Sequence, residues 1–422
     1  MGVWKKNVRR SIINKIKKQY STKSKVDSRY GREKHMKKRL WILNLFLALV
    51  LILAGCGAGE TSDNDAASES TAEESSEESV EESSEAEVEE VVTEEVPTVT
   101  DTEINDIDPE KQVYVTPDWV NDVIEGNEDI EDYVLAEVTW GEAADSSDYL
   151  EKHLPGAAHF NTDAIEEGPI WNVKSPEELE QALLDYGVTS DTTLILYGPD
   201  TGVDRFAFAA LYTGVQDVKV LDGGLPVWEA AGYATEEGEV EPVPAEGDFG
   251  VEVPAHPEYI VSLEDTVDRL ENDGDFQLVS TRSEAEWRGI ESGYSYIPRA
   301  GEPKGALWGR PLLRNSGEAN ASDMEDYQNE DGTNKDFEEI VAMWEYEGIE
   351  LDKTIALYCG TAWRSSLPWL MMYERGYEPL HFDSSWNDYQ MHDDLPVQIG
   401  DSKQEEVEYT TVGELSDDKA SE

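Results

Sequence analysis

Short aliphatic runs punctuate the middle of the chain. Leu135-Ala136-Glu137-Val138, Leu194-Ile195-Leu196-Tyr197, Leu278-Val279-Ser280-Thr281 and Ile355-Ala356-Leu357-Tyr358 are strand candidates of the buried kind. Helix-like segments lie between them, as after Trp363, where Leu367, Leu370 and Met371 recur at helical spacing. Strand and helix alternating in this way predict an α/β architecture, with parallel sheets flanked by helices and joined by right-handed crossovers. The pattern occurs twice. In one constant register Asp191 falls on Asp352, Leu194–Tyr197 on Ile355–Tyr358, Gly198 on Cys359 and Trp228 on Tyr389. Upstream, with a changed offset, Leu135–Val138 parallels Leu278–Thr281, and His153-Leu154-Pro155-Gly156-Ala157 parallels Glu302-Pro303-Lys304-Gly305-Ala306. Two related units are expected at 108–236 and 258–400, joined by a Pro/Gly-rich extended linker over 237–257.

The ends have a different texture. Leu40–Ala54 is an apolar run broken only by Asn44, too short for a comfortable membrane span and preceded by Lys37-Lys38-Arg39. Residues 1–55 therefore read as a signal peptide, with Met36 as the expected start of translation. The run ends in Leu53-Ala54-Gly55-Cys56, which resembles the bacterial lipobox. That resemblance implies lipidation of Cys56, cleavage before it, and a membrane-anchored, extracytoplasmic protein. A secretory signal without lipid is the first alternative and a retained transmembrane anchor the second. Residues 56–107 are rich in Glu, Ser, Thr and Ala, cannot form a packed core, and are expected to be an extended tether. The tail over 401–422 has the same composition and the same expectation of disorder.

Charge sharpens this division. The formal net charge is −60, yet residues 1–39 hold 15 of the 33 Lys and Arg, leaving 18 basic against 91 acidic residues from Cys56 onward. Such a field repels nucleic acid and anionic lipid surfaces, so neither is an expected partner. Against it, Arg299, Lys304, Arg310 and Arg314 stand close together and are expected to form a basic rim, with Arg310 helping to bind an anionic substrate.

Candidate chemistry centres on Cys359. A thiol at the tip of a strand, facing the first turn of the next helix, meets converging backbone N–H groups and a positive dipole end, which favour the thiolate. Arg364 stands five positions on and can cap the loop with a fixed cation. Four residues intervene, Gly360, Thr361, Ala362 and Trp363. That makes a ring smaller than one suited to a tetrahedral phosphate or arsenate and better fitted to a sulfur atom. Leu357-Tyr358-Cys359-Gly360-Thr361-Ala362-Trp363-Arg364-Ser365-Ser366 resembles the active-site loop of the rhodanese (sulfurtransferase) family in its tandem two-domain form.

The resemblance covers about 110–400 and implies two rhodanese-like domains with the active site near their interface. It implies a Cys359 persulfide that carries sulfur from a small anionic donor, thiosulfate or 3-mercaptopyruvate, to a thiol, protein or cyanide acceptor, without metal or organic cofactor. Gly360, Thr361, Ala362, Trp363 and Arg364 would cradle the substrate and the persulfide. Trp363 departs from the small or basic residues common in such loops and is read as core filling or a shield against water. Arg282 resembles the family's arginine after the first strand and is read as structural. The first unit, with Gly198 and Val203 where the second has Cys359 and Arg364, should be catalytically silent. A persulfide carrier or redox sensor and a non-catalytic surface binding module are the alternatives to an enzyme.

Overall fold

The computed structural model describes residues 96–130, 132–312, 324–404 and 406–421. The signal peptide, Met36, Cys56, most of the tether and Arg314 lie outside the described residues. Residues from Val96 onward form one compact unit.

The first half runs β1 (Tyr114–Val115), α1 (Pro117–Ile124), β2 (Tyr133–Thr139), α2 (Ser147–Glu151), β3 (Ala158–Asn161), β4 (Glu166–Glu167), β5 (Asn172–Val173), α3 (Pro176–Asp185), β6 (Thr193–Tyr197), α4 (Gly202–Thr213), β7 (Asp217–Leu221) and α5 (Gly224–Ala230). Five of these strands make one parallel sheet in the order β1-β7-β6-β2-β3. All five residues of β6 are buried, as an apolar run covered on both faces must be. Helix α3 starts where Ser175 and Glu178 close a reciprocal cap and Pro176 supplies a preset first turn.

The second half follows as α6 (Leu263–Asn272), β8 (Phe276–Ser280), α7 (Glu284–Trp287), β9 (Glu302–Pro303), β10 (Leu307–Trp308), α8 (Phe337–Glu347), β11 (Thr354–Tyr358), α9 (Trp363–Tyr373), β12 (Leu380–His381), α10 (Ser385–Tyr389), β13 (Pro396–Ile399) and β14 (Glu408–Thr411). Its parallel sheet has the order β10-β8-β11-β12, the same winding as β3-β2-β6-β7. The counterpart of β1 is reduced to a single parallel bridge, Ile260 to His381.

Helices α4 and α9 are buried along nearly their whole length and pack together between the halves. The rings of Phe208 and Trp369 meet edge to face at 4.8 Å. Apolar residues of both halves join in one continuous core, from Val138 and Leu196 to Leu357 and Met371. A helix apolar on all sides needs such a position.

Two expectations are corrected. The tail is ordered: β14 pairs antiparallel with β13, which pairs in turn with β9, and Val412 is fully buried. Strand pairing supplies the stability that its acidic composition cannot, because β13 offers a free edge. Within the expected tether, residues 96–107 also lie on the second half. Val96 and Ile104 pack against the core, and the Asn105 amide donates to the Arg375 carbonyl at 3.1 Å.

Candidate active site

Strand β11 ends at Tyr358 and hands Cys359 to the crevice beyond the strands' carboxyl ends, where ligands bind in open α/β sheets. Ala362 sits at φ 74°, a left-handed conformation that costs a non-glycine residue about 1 kcal/mol and turns the chain sharply into α9. That turn wraps the loop around the sulfur, so that the Thr361 and Ser365 N–H groups hydrogen-bond it. The loop is braced from behind: Trp386 N–H donates to the Cys359 carbonyl and Asn387 N–H to the Gly360 carbonyl, each at 3.0 Å.

Cys359 is a free thiol with no exposed surface. Burial pushes its pKa up, but the Arg364 guanidinium and the two backbone donors outweigh this and hold it below the ordinary thiol value. The cation itself is tightly held. Arg364 donates to both oxygens of Glu286, at 2.7 and 2.9 Å, and to the Tyr294 hydroxyl at 3.3 Å.

Glu286 also accepts from Arg282 at 3.1 Å, and Arg282 reaches Glu302 at 2.7 Å, where the Tyr358 hydroxyl also bonds. A chain of alternating charges thus runs behind the loop, fully buried. Burial raises Glu286, but the guanidiniums of Arg364 and Arg282 win and hold it at about 2. At Glu302 burial wins over Arg282 and the Tyr358 hydrogen bond, and the carboxyl rises to about 7.

Aromatic rings cover the sulfur. A side chain at Gly360 would come within 2.0 Å of the Tyr294 ring, so only glycine lets that ring close over the loop. Tyr296 is hydrogen-bonded to the Thr361 side chain. The C-terminal tail holds this cover: Ser292 N–H donates to the Lys419 carbonyl at 2.8 Å, Gly293 N–H to the Ser421 hydroxyl at 3.0 Å, and Ser421 N–H to the Tyr294 carbonyl at 3.2 Å.

The first half supplies the remaining wall through its β4–β5 hairpin. Trp363 Nε1–H donates to Glu166 at 2.7 Å, so this residue, read from sequence as core filling or a shield, is a clasp between the halves. Glu166 accepts from Arg205 at 3.1 Å, and Arg205 forms an ion pair at 2.7 Å with Asp383 of the second half. The Asn387 side-chain amide donates to the carbonyls of Pro169 and Ile170.

The structure thus brings Cys359, Gly360, Thr361, Ala362, Trp363 and Arg364 into one site. It places Arg310 elsewhere. The Arg310 guanidinium is paired with Glu347 and lies 4.7 Å over Trp308 and 5.2 Å from the Tyr346 ring. Arg299 is likewise paired with Asp393 and Asp417, and Lys304 lies 5.0 Å over Tyr409. In place of a basic rim, Arg310 and Arg299 are each neutralised by their own carboxylate neighbours, and Lys304 rests on an aromatic ring. Arg282 is structural, as read. Missed were Glu286, Tyr294, Tyr296, Glu166 and Arg205. Only Glu286 left a local signal, the Ser283-x-x-Glu286 capping box, which marks a helix start and not a partner of Arg364.

A thiol whose pKa is lowered by backbone donors and a paired guanidinium, at the tip of a parallel strand, defines a nucleophilic group-transfer site. Comparison with known proteins gives the family. Residues 116–231, within the half that lacks the thiol, match the rhodanese-like domain. The chain is 36% identical over 299 residues to the thiosulfate sulfurtransferase YnjE of Escherichia coli strain K12, a match covering 69% of this chain and 66% of that protein. The crystal structure of YnjE superimposes with a TM-score of 0.64. The sulfur carrier protein TtuD of Thermus thermophilus is 30% identical over 69% of this chain and 98% of its own length. An anaerobic ergothioneine biosynthesis enzyme from Chlorobium limicola, solved with trimethyl histidine, is 32% identical with a TM-score of 0.63, over 68% of this chain and 70% of that one. The chain belongs to the rhodanese family of sulfurtransferases.

Proposed function

We propose that the protein is an extracytoplasmic, lipid-anchored sulfurtransferase that moves sulfane sulfur from thiosulfate or 3-mercaptopyruvate to a thiol or cyanide through a persulfide on Cys359. The observation that carries this is the cradle itself: Thr361 and Ser365 N–H groups and Arg364 gathered on one sulfur. With thiosulfate, the Cys359 thiolate attacks the outer sulfur. The new S–S bond forms as the old one breaks, and sulfite leaves with the bonding electron pair. An acceptor thiolate or cyanide then attacks the outer sulfur of the persulfide, and Cys359 departs as thiolate, with the same amides stabilising the anion in both steps. Support for the anchor is the Leu53-Ala54-Gly55-Cys56 sequence behind its apolar run.

Turnover tests the chemistry. Thiocyanate production from each donor plus cyanide should be measurable in the wild type and absent in Cys359→Ser; equal rates in both would end the proposal. Labelled palmitate incorporated by the wild type in a bacterial host, and not by Cys56→Ser, tests the anchor. The enclosure of Cys359 favours a second reading, a carrier that protects its persulfide until one protein partner opens the aromatic cover. A stable gain of one sulfur without thiocyanate turnover would select it.

A further inference from the structure

The carboxyl of Glu302 marks a departure from the repeat. Glu137 stands opposite Tyr197 and Ser280 opposite Tyr358 in the two parallel sheets, and in the first half the strand-ending tyrosine bonds the carboxyl beside it. The second half has a serine there. It carries an acid on β9 instead, at the place where the first half has His153. In that position Glu302 accepts from the Tyr358 hydroxyl and, at 2.7 Å, from Arg282. Thr139 is the counterpart of Arg282, so this arginine and its acid occur together only in the half that holds the thiol.

Arg282 links this acid to the active-site loop. Its Nε–H goes to Glu286 at 3.1 Å, one terminal nitrogen to Glu302 and the Gly301 carbonyl, each at 2.7 Å, and the other to the Ser292 carbonyl at 3.2 Å. Glu286 in turn holds Arg364. All four charged side chains are buried, where salt screens them little. Arg282, Arg364 and Glu286 together leave one net positive charge behind the sulfur, and ionised Glu302 cancels it.

We propose that Glu302 is a positioning residue for sulfur transfer, one whose charge sets how strongly Arg364 acts on the Cys359 sulfur; this rests on the reading of Cys359 as the nucleophile. Ionised, Glu302 draws Arg282 from Glu286 and leaves Glu286 to offset Arg364. Protonated, it returns Arg282 to Glu286, and the sulfur meets more of the Arg364 charge. Glu286 itself works against the thiolate, so neutralising Glu286 favours that form. The groups that face Glu302 are Arg282 and the Ser280 hydroxyl, Tyr358 from β11 and Glu286 from α7, while its pairing partner on β13, Gln398, carries no charge. Burial wins over Arg282 and the Tyr358 hydrogen bond and holds Glu302 at about 7. As pH falls through that value the carboxyl takes up a proton, and the thiolate persists over a broader span of pH than a lone thiol allows.

Alkylation of Cys359 by iodoacetamide, followed against pH in the full chain, tests this. Glu302→Gln keeps the shape of the side chain and removes its charge, so the midpoint should fall by about half a pH unit or more and the curve should steepen. Tyr358→Phe removes a hydrogen bond that favours the ionised carboxyl and should move the midpoint the same way by less. Glu177→Gln, an exposed change on α3, should leave it in place. A purely structural Glu302 would lower stability without moving the midpoint. A folded Glu302→Gln whose midpoint equals or exceeds that of the wild type would overturn the proposal. Thermal unfolding verifies each variant's fold, and should Glu302→Gln not fold, Tyr358→Phe decides by the same readout. Thiocyanate turnover keeps the two readings apart: its absence from the wild type refutes the sulfurtransferase whatever the midpoints, and its presence with unmoved midpoints refutes only the role of Glu302.

Discussion

The two halves carry the same strand winding, yet the loop after the central strand has opposite character in each. After β11 it holds Cys359 under a closed aromatic cover, with a buried guanidinium at its back. After β6 it holds Gly198 and Asp200 beside an open cavity lined by acids. A strand end aimed at a helix start is a general receptacle, and the side chains around it set the charge of what it receives. The second half adds two arginines, each matched by a glutamate, so its site is both cationic at the sulfur and neutralised behind it. The first half keeps its one buried arginine, Arg205, for the seam between the halves.

The largest effect that could break this contrast is at Arg364. Arg364→Met would leave Glu286 buried beside Arg282 alone, and chemical denaturation should show a loss of about 3–5 kcal/mol. In any folded fraction the thiol should titrate higher, because the guanidinium that lowers it is gone. Iodoacetamide alkylation followed against pH would read this directly, the midpoint moving up from its lowered wild-type position. An unchanged midpoint would mean that the backbone amides alone hold the thiolate.

Next comes the seam. Arg205→Met leaves Glu166 and Asp383 buried without their cation, so denaturation should again show a loss of about 3 kcal/mol or more. Because Glu166 also holds Trp363, thiocyanate turnover should fall together with stability. Turnover preserved at full rate would show that the first half is a passive neighbour of the site.

The cover over Cys359 is the third point of comparison. Deleting residues 406–422 removes β14 and the hydrogen bonds to Ser292, Gly293 and Tyr294, so alkylation of Cys359 should speed up by about tenfold or more at constant pH. The cavity of the first half should keep its properties in this variant. An unaltered rate would mean that the ring of Tyr294 needs no support from the tail.

The pH effects come last, because they develop gradually over several pH units, and they differ in sign between the halves. Glu286 is held at about 2, below its ordinary 4.5. Its contribution of about 3 kcal/mol is present above pH 4.5 and is lost as pH falls towards 2. Asp204 is raised from 3.8 to about 7. Its contribution is present below pH 3.8 and is lost as pH rises through 7. Asp204→Asn should therefore gain stability relative to the wild type as pH climbs from about 4 to 8, by up to about 4 kcal/mol in thermal unfolding. A gain confined to low pH would contradict the assignment.

Much of the second half's site was legible from residues in sequence. The apolar run Thr354–Tyr358, the small-residue turn and the helical spacing after Trp363 are local signals, and the structure places β11 and α9 on those residues. The repeat revealed the equivalence of Gly198 and Cys359 in the same way. What could not be read is what the fold brings from a distance: Glu286, Tyr294 and Glu166 reach the loop only through tertiary packing. The basic cluster misled because sequence proximity does not show pairing, and Arg310 finds its carboxylate on α8. The tail misled because its composition opposes a core, whereas β14 is stabilised by backbone pairing along the edge of β13.

The most direct measurement is the intact mass of the full chain after exposure to thiosulfate or 3-mercaptopyruvate, with the modified peptide then located by digestion. One added sulfur atom should appear on Cys359, disappear on treatment with cyanide, and be absent from Cys359→Ser. An unchanged mass with both donors, or an added sulfur that survives in Cys359→Ser, would contradict a persulfide at this site.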